Sequence, residues 1–152
     1  MTNATTHENA RTVRRLFEQG FNQRDFALID ELVDADYVDA AGERGPAAFR
    51  QLIERLHGAF PDITYTIDET VAEADAVAVR WRWTGTHRGV FRGIAPTERA
   101  LTNTGAGIFR VRRGKVAAAS IETDRLGFLQ SIGVVAPTDA LFKPRAAESH
   151  AA

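Results

Sequence analysis

"GPAAFRQLIERLHGAFPDITYTIDETVAE", residues 45–73, changes its period part-way along, and that change decides the fold. Before Pro61, the residues Phe49, Leu52, Ile53, Leu56 and Phe60 recur at mostly three- and four-residue steps. That spacing is the single apolar stripe of a helix packed on a core. Pro46 suits the first turn, where its missing N–H costs nothing, and Pro61 stops the helix. After Pro61, Ile63, Tyr65 and Ile67 alternate with Thr64, Thr66 and Asp68, the two-residue period of a half-buried strand.

Outward from this junction, helices lie on the N-terminal side and strands on the C-terminal side. Ala10, Val13, Leu16 and Phe17 form one helical stripe, with Thr5 and Glu8 read as a capping box and Gly20 as the stop. Asp25 is placed to cap a second short helix carrying Phe26, Ile29, Leu32 and Val33. In the other direction, "DAVAVRWRWTGTH" sets Val77, Val79, Trp81, Trp83 and His87 on one strand face, with Arg80, Arg82, Thr84 and Thr86 on the other. "ALTNTGAGIFRVRRGKVAAASIETD" reads as two strands joined by a tight turn at Arg113-Gly114. A last short helix is expected from Leu126 to Ile132, ended by Gly133. Three helices followed by about four strands predict an α+β fold, an antiparallel sheet covered on one side by helices. One domain is expected over residues 1–135, with residues 136–152 a flexible tail.

The totals narrow the function classes. The 152 residues carry a net charge of -1, with 44% apolar and 26% charged side chains, so there is no global field to draw in nucleic acid or an anionic membrane. No cysteine means no disulfide, no thiolate nucleophile and no Cys-based metal site. A cytoplasmic protein is the expectation, because the N-terminus lacks an apolar signal core and no window approaches a membrane span. HExxH, a phosphate loop and a strand-linked GxGxxG are all missing, so neither a metal nor a nucleotide cofactor is indicated.

The chemistry-bearing stretch is "SIETDRLGFL", Ser120–Leu129. If Val116 points inward, parity sends Ala118, Ser120, Glu122 and Asp124 the same way. Small side chains there would leave space, and a carboxylate beside such space loses hydration and becomes a base near neutrality. The plainer reading puts both acids at an exposed strand end, with Asp124 as the cap of the next helix. His87 shares the face of Trp81 and Trp83; it reads either as a proton carrier at a pocket rim or as a hydrogen-bonded turn residue. Tyr37, Tyr65 and Asn103 could orient a ligand or simply pack. Trp81 and Trp83 read as core aromatics or as the flat wall of a pocket.

Beyond these residues, the chain resembles the SnoaL-like polyketide cyclases, within the nuclear-transport-factor-like superfamily of cone-shaped α+β proteins. The stretches that carry the resemblance are "VRRLFEQGFNQRDFALIDELVDADYVD", "GPAAFRQLIERLHGAFPD", "GTHRGVFRGIAPT" and "GKVAAASIETDRLGFLQSIGVV". It implies three N-terminal helices on a curved, mainly antiparallel sheet. It also implies a cofactor-free, metal-free acid–base enzyme of secondary metabolism and antibiotic biosynthesis, acting on a small apolar or aromatic carbonyl compound by intramolecular aldol cyclisation or isomerisation. Asp124 matches the family's base and His87 its histidine. Around them, Trp81, Trp83, Tyr37, Asn103, Phe109 and Glu122 are expected to bind substrate. A homodimer is implied as well. The family's pocket histidine has no counterpart at Ala40, and Ala118–Ser120 stand where relatives carry a bulkier run. A ligand-binding protein without chemistry, or an epoxide hydrolase or hydroxylase on the same fold, are the alternatives.

Overall fold

The change of period at Pro61 is where helix gives way to sheet. The computed structural model describes residues 3–142; His150 and residues 143–152 of the expected tail lie outside them. Helices α1 (Asn3–Arg15), α2 (Phe26–Leu32) and α3 (Gly45–Ala59) precede strands β1 (Thr64–Glu73), β2 (Ala76–Thr86), β3 (Ala100–Arg112) and β4 (Lys115–Thr123). Helix α4 (Arg125–Ser131) and a helical turn, α5 (Thr138–Leu141), follow. The sheet is antiparallel throughout, in the order β1-β2-β3-β4.

Local chemistry explains most boundaries. Asp25 caps α2 by accepting the Leu28 N–H at 3.0 Å, and α3 begins with Pro at its start and closes at Phe60 before Pro61. The β3–β4 hairpin turns at Arg113 and Gly114 with φ of 51° and 75°, the mirror-image turn that matches strand twist. Two expectations change at the N-terminus. Helix α1 already runs from Asn3, so Thr5 lies within its first turn rather than at the cap. Gly20 does not end the helix; it lies inside a π-helical stretch, Leu16–Phe21, where its missing β-carbon leaves room for Ile29. That wider turn brings Phe17 and Phe21 side by side, their rings stacked at 5.4 Å.

The inner sheet face carries Val77, Val79, Trp81 and Trp83, paired across the ladder with Phe109, Gly107, Gly105 and Asn103. Against it pack Val13, Leu16, Phe17, Ile29, Phe49, Ile53 and Phe60, all buried. Trp81 lies flat only because its cross-strand partner is glycine: a β-carbon on Gly105 would stand 2.6 Å from the indole.

The largest departure from parity comes in β4. Arg110 pairs with Ala118 but Val111 pairs with Val116, so Ala117 is an extra, bulged residue. One inserted residue exchanges the faces of everything after it. Ala119, Ile121 and Thr123 therefore oppose the inward Phe109, Gly107 and Gly105, while Ala118, Ser120 and Glu122 oppose the outward Arg110, Ile108 and Ala106. The inward placement expected for Ala118, Ser120 and Glu122 is corrected. A second bulge, at Asp68 of β1, is held by the Arg82 guanidinium.

Gly105→Ala forces the buried indole to move, and overpacking of this kind costs about 1–3 kcal/mol. Urea unfolding should show a lower midpoint with an unchanged slope.

Candidate functional site

Helices and inner sheet face enclose a cavity of about 310 Å³, at the low end of the roughly 300–1,000 Å³ usual for ligand pockets. Its floor is aromatic: Trp81 and Trp83 of β2, Phe109 of β3, and Phe17 and Phe21 of the π-helical stretch. Phe49, Leu52 and Leu56 of α3 form one side. Phe91 and Ile94 of the β2–β3 loop, with Phe128 and Leu129 of α4, form the other. Tilted and edge-on ring pairs, such as Phe17–Trp81 at 5.2 Å and Phe91–Phe128 at 5.3 Å, brace the wall.

Polar groups enter this wall at few places. Asp124 lines the cavity at the junction of β4 and α4, where it is exposed at the rim. It is also the cap of α4, as the plainer reading of the sequence expected: Oδ1 accepts the Gly127 N–H at 2.8 Å. Gly127 permits this, since a β-carbon there would run into Oδ2. The second oxygen has no partner among the described residues. Buried Asn103 donates from Nδ2 to the Asp124 carbonyl at 2.7 Å, and the Asp124 N–H reaches the Thr104 carbonyl at 3.0 Å. Three hydrogen bonds thus fix where the carboxylate starts from.

Tyr65 supplies a phenol to the wall. Its backbone is clamped on both sides by Asn22, which donates to the Tyr65 carbonyl at 3.0 Å and accepts its N–H at 2.7 Å. Burial among apolar groups pushes the phenol's pKa well above its ordinary value, so it stays a neutral hydrogen-bond donor. At the mouth stand two guanidinium groups, Arg92 and Arg125. Arg92 is held at φ 48° and Gly93 at φ 81°, the two central residues of a turn closed by reciprocal Phe91–Ile94 backbone bonds of 3.0 and 2.9 Å. A left-handed backbone costs a residue with a β-carbon about 1–2 kcal/mol.

Of the residues singled out in the sequence, Asp124, Trp81, Trp83, Tyr65, Asn103 and Phe109 meet at this cavity. Three do not. His87 follows the parity of β2 but is fully buried against Phe60, its ring 5.3 Å from that ring and its Nδ1 3.1 Å from Thr97 Oγ1. Its Nε2 has no partner among the described residues, and the imidazole is not part of the cavity wall. The two N–H groups after it, of Arg88 and Gly89, both bond the Ala59 carbonyl and tie the β2–β3 loop to the end of α3. Tyr37 is core, packed on Phe49 at 4.9 Å. Glu122 is turned to the outer face by the Ala117 bulge. The sequence reading missed Phe21, Phe91, Arg92 and Phe128 as wall residues. Phe91 and Arg92 sit in a glycine-rich segment with no period to orient them. Among the described residues, no group of three or more His, Asp or Glu side chains is placed to hold a metal ion, and no helix is long and apolar enough to cross a membrane.

Two measurements check these electrostatics and this strain. Tyr37 and Tyr65, the chain's two tyrosines, both have raised pKa values in the folded state, chiefly from burial. Unfolded phenols ionise near pH 10, so stability is intact below that pH and falls as pH climbs toward the raised folded values. Tyr37→Phe/Tyr65→Phe should therefore lose less Tm between about pH 9 and 11 than the wild type. Arg92→Gly relieves the left-handed backbone and should raise stability by about 1 kcal/mol in urea unfolding.

The profile of the family described as SnoaL-like polyketide cyclase matches residues 11–132. TsrD from Streptomyces laurentii superposes with a TM-score of 0.76 at 24% identity, covering 89% of this chain and 99% of that one. A protein from Jannaschia sp. CCS1 gives 0.78 at 22% identity, covering 90% and 99%. IdmH from Streptomyces antibioticus gives 0.72 at 28% identity, covering 84% and 100%. Comparison with curated proteins gave no match. A four-stranded antiparallel sheet carrying its helices on one face, an aromatic cavity between them and a profile match over most of the length lead to one assignment: this chain belongs to the SnoaL-like polyketide cyclase family.

Proposed function

We propose that the protein is a cofactor-free acid–base enzyme that closes a ring in a polyketide-like carbonyl compound by intramolecular aldol addition. The observation that carries this reading is the Asp124 carboxylate, held by its cap at the wall of an aromatic cavity, in a chain of this family. Asp124 Oδ2 takes a proton from the acidic C–H between carbonyl groups. The enolate carbon attacks a second carbonyl carbon of the same molecule, forming one C–C bond, and the resulting alkoxide recovers a proton, so the product is an isomer of the substrate. The Tyr65 hydroxyl replaces His87 as the donor to the developing oxyanion, since it lies on the cavity wall and stays protonated. The flat indoles of Trp81 and Trp83 hold the chain folded, converting a loose encounter into a near-attack geometry. The outer sheet face, with Val71, Ala78, Ala106 and Ile108 uncovered by helices, is where a second copy would dock to form the homodimer.

Asp124→Asn is a clean test, because Asn caps a helix about as well as Asp and the fold should keep its Tm. General base catalysis contributes roughly 10²–10⁴-fold, so turnover of β-keto esters bearing a tethered ketone should fall by that factor. The same loss is expected in exchange of the acidic C–H for deuterium, followed by NMR. Undiminished turnover and exchange in the variant would remove Asp124 as the base.

A further inference from the structure

We infer that the substrate is an anion: a compound with an apolar, aromatic-sized body and a carboxylate, the carboxylate seated between Arg92 and Arg125 at the cavity mouth. This rests on the proposal that the cavity is the substrate site. The polar content of the mouth is lopsided, with two guanidinium groups and one carboxylate, Asp124. Neither arginine forms an ion pair among the described residues, whereas many of the other arginines, such as Arg14, Arg50, Arg82 and Arg110, do. Asp124 forms an ion pair with neither arginine among the described residues, and its single negative charge leaves one positive charge over. An acidic group entering here meets an excess of positive charge at the end of an otherwise apolar chamber.

The backbone at Arg92 points the same way. Mirror-image turns favour Gly, Asn or Asp at this position, yet the chain keeps an arginine there in a left-handed conformation. Its guanidinium carbon lies 5.7 Å from the Phe91 ring centroid, which steadies the side chain over the mouth. Arg125 follows Asp124 directly, so the anion's seat and the base start from α-carbons about 3.8 Å apart. The apolar remainder of the molecule is then directed inward over Trp81 and Trp83. A planar carboxylate suits paired guanidinium donors in a way that an ester cannot reproduce.

Isothermal titration of the full chain with 2-naphthoate and with methyl 2-naphthoate at pH 7 tests this. The acid should bind about tenfold tighter than the ester, with the gap narrowing in about 0.5 M NaCl. Arg92→Asn/Arg125→Gln should bring the acid down to the ester's level; Asn tolerates the left-handed turn, and circular dichroism checks the fold. Arg125→Glu alone should reverse the preference. Equal binding of acid and ester by the wild type, or a preference that survives the double variant, overturns the inference and leaves the cavity a substrate site. If neither compound binds, both the inference and that reading of the cavity fall.

Discussion

The open end of the chamber depends on how one aspartate is tied to the strand beside it. Asp124 gives its N–H to the Thr104 carbonyl, receives the Asn103 side chain on its own carbonyl, and receives the Gly127 N–H on its carboxylate. The first two bonds fasten the end of β4 to β3; the third starts α4. Because α4 carries Phe128 and Leu129, the same junction that positions the proposed base also supplies part of the wall around it. A cap is commonly worth about 1 kcal/mol. Here a group that stabilises a helix also keeps one carboxylate oxygen beside a hydrophobic space, so stability and the proposed chemistry draw on a single side chain.

The rest of the wall follows from a choice of small residues opposite large ones. Gly105 faces Trp81, and Gly20 faces Ile29, each yielding room that a β-carbon would occupy. Two indoles and several phenyl rings can then stand tilted against each other around a space instead of filling it. Polar groups are admitted where the backbone holds them: Tyr65 clamped by Asn22, Asp124 by its cap, and Arg92 by a closed turn. The chamber is thus rigid at its floor and charged at its rim.

Much of this was legible in the sequence, for reasons visible at particular residues. The alternation through Val77, Val79, Trp81 and Trp83 is strong enough to set the inner face of β2 without further help. Arg113-Gly114 marked its hairpin, and Asp25 its cap, because each residue type answers a specific backbone need. The bulge in β4 left no such trace: it falls in a run of three alanines, Ala117–Ala119, where no difference in size or polarity reports which face is which. Parity counted through that run arrives at Glu122 one step out of phase. His87 failed differently: its face was right, but its ring is fully buried against Phe60, and neither residue is part of the cavity wall. Gly20 carried two meanings, helix stop and close packing, and composition alone does not separate them.

The Ala117 bulge also matters for anyone carrying residues over from a relative. Two cousins that share every secondary-structure element but differ by that single looped-out alanine would present opposite sets of side chains to their ligands along the whole second half of the strand. Column-by-column alignment would pair a lining residue with a surface one, and a graft designed on that pairing would decorate the outside of the sheet. Hydrogen-bonded partners on β3, rather than position along the chain, are the right coordinate for transferring specificity within this fold.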